Sequence, residues 1–127
     1  MKMILVSNDN IAAAMKDSLA SYFSEPVVET FGFTYENQNA MKDMLREYLV
    51  KSLLDDTKET FVILTDREDS AATLETKIII HDLGIEEKCL VLPGMSQPLL
   101  IKLYGLMDTV DLDYCRDICE NPLVAAG

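Results

Sequence analysis

The chain has no tryptophan, one histidine, three cysteines and five glycines in 127 residues, and only 11 basic side chains against 22 acidic ones. Each scarcity removes a class of function. A net charge of −11 leaves no basic patch to displace counterions from a phosphate backbone, so nucleic acid is not an expected partner. The same charge is repelled by anionic lipid surfaces, and no run approaches the ~18 apolar residues of a membrane span, so no insertion into a membrane is expected. Cys89, Cys115 and Cys119 are odd in number, and Met1-Lys2 leads straight into an apolar strand. Reduced thiols and a cytoplasmic location follow. Cys115 and Cys119 are four apart and can share a helix face, but His81 is the only imidazole, so structural thiols are the simpler reading. His81 itself follows Ile78-Ile79-Ile80 and reads as a capping or surface residue. No cofactor is expected.

Hydrophobic residues make up 49% of the chain, enough to build the core of one domain spanning residues 1–127. The organising stretch is Phe61-Val62-Ile63-Leu64-Thr65, an apolar run that ends in Asp66-Arg67-Glu68-Asp69-Ser70 and then turns into a helical pattern. Such a run reads as a strand buried on both faces. Its carboxyl end delivers Asp66, Glu68, Asp69 and Ser70 to one sheet edge, where open α/β sheets bind ligands. A second corner of the same kind, Ser7-Asn8-Asp9-Asn10, follows Ile4-Leu5-Val6. If the two strands are neighbours, Asn8 and Asp9 face Asp66.

Strand and helix patterns alternate four times. Strands are expected at residues 3–6, 27–33, 61–65 and 88–92. Helices are expected after Asn8 or Asn10 as cap, with Ile11, Met15, Leu19, Tyr22 and Phe23 inward, and after Asn37 as cap, with Met41, Leu45, Tyr48 or Leu49, and Leu53 inward. Two more run over residues 70–83, closed by Gly84 in a left-handed turn, and 99–107, with Pro98 at the first position; a small one covers 112–120. Met41, Met44, Met95 and Met107 read as core filler. The pattern is α/β: three layers, α/β/α, around a mostly parallel four-stranded sheet.

These corners, taken together, resemble the enzyme IIA component of the mannose family of the bacterial sugar phosphotransferase system. Residues 4–18 are similar to the family's opening strand and its Ser/Thr-His-Gly turn. Phe33-Thr-Tyr-Glu36 sits where the family has a Pro-Gly-Glu loop. Val62 to Ala71 is similar to the strand ending in Asp that precedes Gly-Gly-Ser-Pro. Pro93-Gly94-Met-Ser96-Gln-Pro98-Leu-Leu is similar to the Gly-Val-Asn-x-Pro-Met-Leu turn and helix, and Gly94, Ser96 and Pro98 fall in that partner-facing turn. In the family a histidine takes a phosphoryl group from the carrier protein HPr and passes it to the IIB component. The resemblance implies that Asp66 stands at the ring-orienting Asp position and that Ser7, Asp9, Glu68, Asp69 and Ser70 are the phosphate-site equivalents. It also implies a homodimer with HPr or the IIB component as partner, and a C-terminal antiparallel strand, here residues 122–127, exchanged between subunits.

The acceptor position departs from the pattern. Asn8 stands where the histidine would be, and an amide is neither a useful nucleophile nor titratable near pH 7. Asp9 replaces a glycine, and Glu68-Asp69 replace the Gly-Gly pair. Two like charges 4 Å apart repel by about 4 kcal/mol at an effective dielectric of 20, and a phosphoryl group would meet several. The leading expectation is a non-phosphorylatable, IIA-like binding or regulatory member, with no catalytic residue intact. Two others are a phosphocarrier using Asp9 or Asp66 as acceptor, and a divalent-cation site built from Asp9, Asp66, Glu68 and Asp69. The bland counterpart of the last is a solvated acidic rim at a helix start.

Overall fold

Residues 1–120 are described by the structure, a computed structural model. Four strands form one all-parallel sheet: β1 (Lys2–Asn8), β2 (Glu29–Phe33), β3 (Phe61–Thr65) and β4 (Cys89–Leu92), in the order β2-β1-β3-β4. The helices between and after them are α1 (Ile11–Leu19), α2 (Gln38–Asp55), α3 (Ala71–Leu83), α4 (Gln97–Leu106) and α5 (Leu112–Glu120). The two most continuously apolar segments take the centre, where both faces are covered: every residue of β3 is buried, as are Met3 to Ser7 of β1.

Alternation along the strands divides the core into two layers. Ile4, Val6, Phe61 and Ile63 face Leu45 and Leu49 of α2 and Ile79 and Ile80 of α3. Met3, Leu5, Val62 and Leu64 face Ala12 and Leu19 of α1, Leu100 and Leu103 of α4, and Cys115 of α5. Gly84 ends α3 at φ 68°, the left-handed stop expected of it.

Several boundaries differ from the sequence pattern, each for a local reason. The edge strand begins at Glu29, not at residue 27, because Val27 donates its N–H to Tyr104 Oη at 2.9 Å and leaves its side chain 84% exposed. Helix α1 stops at Leu19, so Tyr22 is 60% exposed rather than inward, and Ile11 in its first turn is exposed too. Lys88 belongs to a 3-10 turn, Glu86–Lys88, ahead of β4. Pro98 is the second residue of α4, after Gln97, with Ser96 as cap. Asn8 and Asn10 do not cap α1 through their side chains; Ser7 Oγ instead accepts from Ala12 N–H at 2.8 Å. Asn37 turns its side chain back, accepting from Thr34 N–H at 2.6 Å and donating to the Gly32 carbonyl at 3.0 Å. The exchanged strand expected from residues 122–127 lies outside the described residues.

Candidate functional site at the carboxyl edge of the sheet

The central pair β1 and β3 run side by side in parallel, with Val6 opposite Thr65, so both expected corners emerge at one edge. Asn8 N–H donates to Asp66 Oδ2 at 2.9 Å. Asp66 Oδ1 accepts from Arg67 N–H at 2.9 Å and from Ser70 Oγ at 2.6 Å. The Asp66 carboxylate is therefore held by three donors. Burial alone would raise its pKa, but the hydrogen bonds from Ser70, Asn8 and Arg67 outweigh it and hold the carboxyl below its ordinary value.

Ser70 caps α3: its Oγ accepts from Thr73 N–H at 3.1 Å. Asn8 serves the same helix from another strand, its Oδ1 accepting from Ala72 N–H at 3.3 Å. Ser70 N–H donates to the Arg67 carbonyl at 3.3 Å. Of the four N–H groups that a helix start leaves open, only that of Ala71 has no partner among the described residues. The donors that make a helix N-terminus an anion site are mostly occupied by the protein's own oxygens.

Beside this network lies a cleft of about 290 Å³, lined by Asn8, Asp9, Phe33, Thr34, Tyr35, Gln38 and Ala71. Asp9 takes φ 55°, a left-handed conformation that favours glycine. Its carbonyl approaches Gly32 so closely that a Cβ there would stand 2.3 Å from the oxygen. The Pro93–Ser96 turn completes the edge: Gly94, at φ 83°, donates its N–H to the Asp66 carbonyl at 3.2 Å, and Met95 donates to Thr65 at 2.9 Å. Ser96 accepts from Leu99 N–H at 3.4 Å, and Pro98 is exposed on the helix behind it.

Asn8, Asp66 and Ser70 thus come together, with Gly94 next to them and Asp9 at the cleft wall. The remaining candidates do not join them. Ser7 is fully buried and turned toward α1. Glu68 and Asp69 are exposed, and Asp69 pairs outward with Arg67 at 3.7 Å. Among the described residues no three His, Cys, Asp or Glu side chains converge as a metal site requires, so the four acids expected to form a cation site stay apart. His81, 3.1 Å from Glu86 at the far end of α3, is exposed as expected.

Three contributors escaped the sequence reading. Gly32 is one, although a glycine inside a strand pattern does signal close backbone approach. The role of Asn8 as a cap for α3 depends on a pairing 64 residues away and had no local signal. Thr65 Oγ1 is buried with no hydrogen-bond partner among the described residues, one position before Asp66.

No family model matches the chain, and no curated protein matches it by sequence. Solved structures do. A mannose/sorbose-specific IIA subunit of the phosphotransferase system from Enterococcus faecalis superposes with a TM-score of 0.69 at 15% identity, over 90% of this chain and 82% of that one. A phosphotransferase-system IIA protein associated with the fucose utilization operon of Streptococcus pneumoniae does so with a TM-score of 0.67 at 19% identity, over 95% and 89%. No helix among the described residues is long and apolar enough to cross a membrane. The chain shares the α/β fold of these two IIA proteins.

Proposed function

We propose that this chain is a single-domain, IIA-like binding or regulatory component of a mannose-type sugar phosphotransferase system, working in the cytoplasm without carrying a phosphoryl group at position 8. One observation carries the reading: the Asn8 amide oxygen sits on Ala72 N–H while the Asn8 backbone N–H sits on Asp66. A phosphocarrier needs an ionisable nucleophile with open acceptor capacity and N–H donors free to receive the phosphate. Here the residue at the acceptor position is an amide, and it consumes one of those donors itself. The acid that would orient a ring is committed to three internal donors.

The same saturation weighs against an acyl-phosphate at Asp66. Both oxygens of that carboxylate already accept hydrogen bonds, and a phosphoryl group on Oδ1 would displace Arg67 N–H and Ser70 Oγ, one on Oδ2 Asn8 N–H. What is left to the site is recognition. The cleft and the Gly94–Pro98 turn form the surface to which HPr or a IIB component would dock, and a IIA-like chain that docks without transferring competes with one that transfers.

Incubation with enzyme I, HPr and phosphoenolpyruvate labelled in its phosphoryl group tests this. The expected result is no stoichiometric label on this chain, together with saturable binding to HPr or to a mannose-type IIB domain. Stoichiometric transfer of label overturns the reading. Label that hydroxylamine releases and that Asp66→Asn abolishes identifies an aspartyl acceptor instead.

A further inference from the structure

At the opposite, amino-terminal edge of the sheet, β1 and β2 separate before their chains end. Their pairing starts only at Ile4↔Glu29 and runs from there to Asn8↔Phe33. Asp9 N–H donates to the Phe33 carbonyl, so, by the alternation along a strand, the odd-numbered N–H groups of β1 face β2. Met3 N–H faces it too, and its counterpart in the ladder would be the Val27 carbonyl. That bond is not made: Val27 turns aside and donates its own N–H to Tyr104 Oη at 2.9 Å. Met3 N–H and Val27 C=O are left without partners among the described residues, although Met3 is only 2% exposed. Buried main-chain groups are nearly always paired, whether by protein, water or ligand.

A cleft of about 560 Å³ opens where the two strands diverge, and Met3 and Val27 both line it. Tyr104 lines it as well; its hydroxyl oxygen accepts from Val27 and still has a proton to donate. Lys16, in the last turn of α1, has no ion-pair partner among the described residues. Neither have Glu29 and Asp108, the two carboxylates of the cleft. The other cations of the wall are engaged: the Met1 ammonium pairs with Glu59 at 2.8 Å, and Lys2 Nζ donates to Ser52 Oγ at 3.1 Å. Val28 and Met107 add apolar surface.

We propose that this amino-edge cleft is a binding site for a zwitterionic α-amino acid with an apolar side chain. Met3 N–H, the Tyr104 hydroxyl proton and the Lys16 ammonium are donors that suit a carboxylate. The Val27 carbonyl, with Glu29 and Asp108, suits an ammonium. A ligand of one sign answers only half of this set. An anion alone meets two unpaired carboxylates, and a cation alone meets an unpaired lysine and two unused donors. An α-amino acid carries both charges on one carbon, and the parted strands offer one N–H and one C=O side by side. Its side chain then has Val28 and Met107 to cover it. The volume lies in the ordinary range for small-ligand clefts, about 300–1,000 Å³. This inference goes beyond the phosphotransferase reading and does not rest on it: the cleft and the Asn8–Asp66 corner lie at opposite edges of the sheet, and neither result bears on the other.

Titration of the isotope-labelled chain with L-leucine, L-methionine and L-phenylalanine, followed through its backbone amide NMR signals, tests the proposal. At least one of the three should bind saturably with a dissociation constant of about 1 mM or tighter. The Met3 and Val28 amides should shift, while those of Asn8 and Ala72 at the far edge stay in place. N-acetyl-L-leucine lacks the ammonium and L-leucinamide lacks the carboxylate, so each should bind at least about tenfold more weakly than the parent amino acid. Lys16→Gln should weaken binding by about tenfold, and so should Glu29→Gln combined with Asp108→Asn, with ligand-free melting temperatures matching wild type. No saturable binding of any of the three at up to about 10 mM overturns the proposal. So does a derivative lacking one charge that binds as tightly as its parent, a set of shifts centred on Asn8 and Ala72, or an affinity that both variants leave unchanged.

Discussion

Replacing Asp66 by asparagine isolates the part played by the carboxylate in joining the two corners. The Asp66 oxygens divide their work: Oδ2 accepts from Asn8 N–H, and Oδ1 from Arg67 N–H and Ser70 Oγ. An asparagine of the same shape keeps one acceptor. With its oxygen toward Ser70 and Arg67, its NH₂ faces the Asn8 N–H, donor against donor, and the hydrogen bond that joins the two corners beyond the β1–β3 ladder is lost. A charge-assisted hydrogen bond contributes about 1.5–3 kcal/mol net, and the partial exposure of Asp66 discounts that, so a loss of about 2 kcal/mol is expected at pH 7. For a chain of this length that is a fall in melting temperature of roughly 6–10 °C. The pH dependence gives a second handle. The folded-state pKa of Asp66 is depressed below its ordinary 3.8, so its stabilisation is complete above that value and fades as pH falls through the folded pKa. Urea melts of wild type and Asp66→Asn should differ at pH 6–7 and converge only as the pH falls below the ordinary carboxylate value and through the depressed one. Equal stabilities at pH 7, or a difference that widens on acidification, would refute the account of the corner.

Other perturbations read neighbouring parts of the same edge. Gly32→Ala should destabilise by about 1–3 kcal/mol in chemical denaturation, because its new methyl would lie 2.3 Å from a main-chain oxygen, that of Asp9, and backbone must shift to admit it. Asp9→Gly relieves the left-handed backbone at φ 55° and should stabilise by about 0.5–1 kcal/mol in the same assay. Thr65→Val removes a buried hydroxyl that has no partner among the described residues and should raise the melting temperature, by about 1 kcal/mol of stability. Burial pushes the Cys89 thiol up to about 12, so native protein treated with iodoacetamide at pH 8 should be modified at the half-buried Cys119 well before Cys89, an order that mass spectrometry reads and urea abolishes.

Much of the architecture was legible in the residues themselves. An uninterrupted apolar run such as Phe61–Thr65 is explained only by burial on both faces, and four strand-then-helix alternations leave few alternatives to a parallel sheet covered on both sides. The corners that follow such strands had to lie at the carboxyl edge, and Asn8, Asp66 and Ser70 do meet there. Helix ends were less readable. Val27 has the composition of a strand residue, yet Tyr104, 77 residues away, claims its N–H and turns it outward. Asn10 and Asn37 look like caps, but the competing acceptors and donors of the folded turn decided otherwise.

What local pattern determined, then, was the kind of layer each segment joins and the chemistry that arrives at the sheet's edge, because period and polarity act over a few residues. Only the tertiary structure decided how that chemistry is used. Hydrogen bonds over 58 and 64 residues spend Asn8 and Asp66 on each other and on α3, while Glu68 and Asp69 are left to solvent. A short polar side chain can satisfy any donor the fold brings within about 3 Å, and which donor that is depends on strand order and register rather than on its neighbours in sequence.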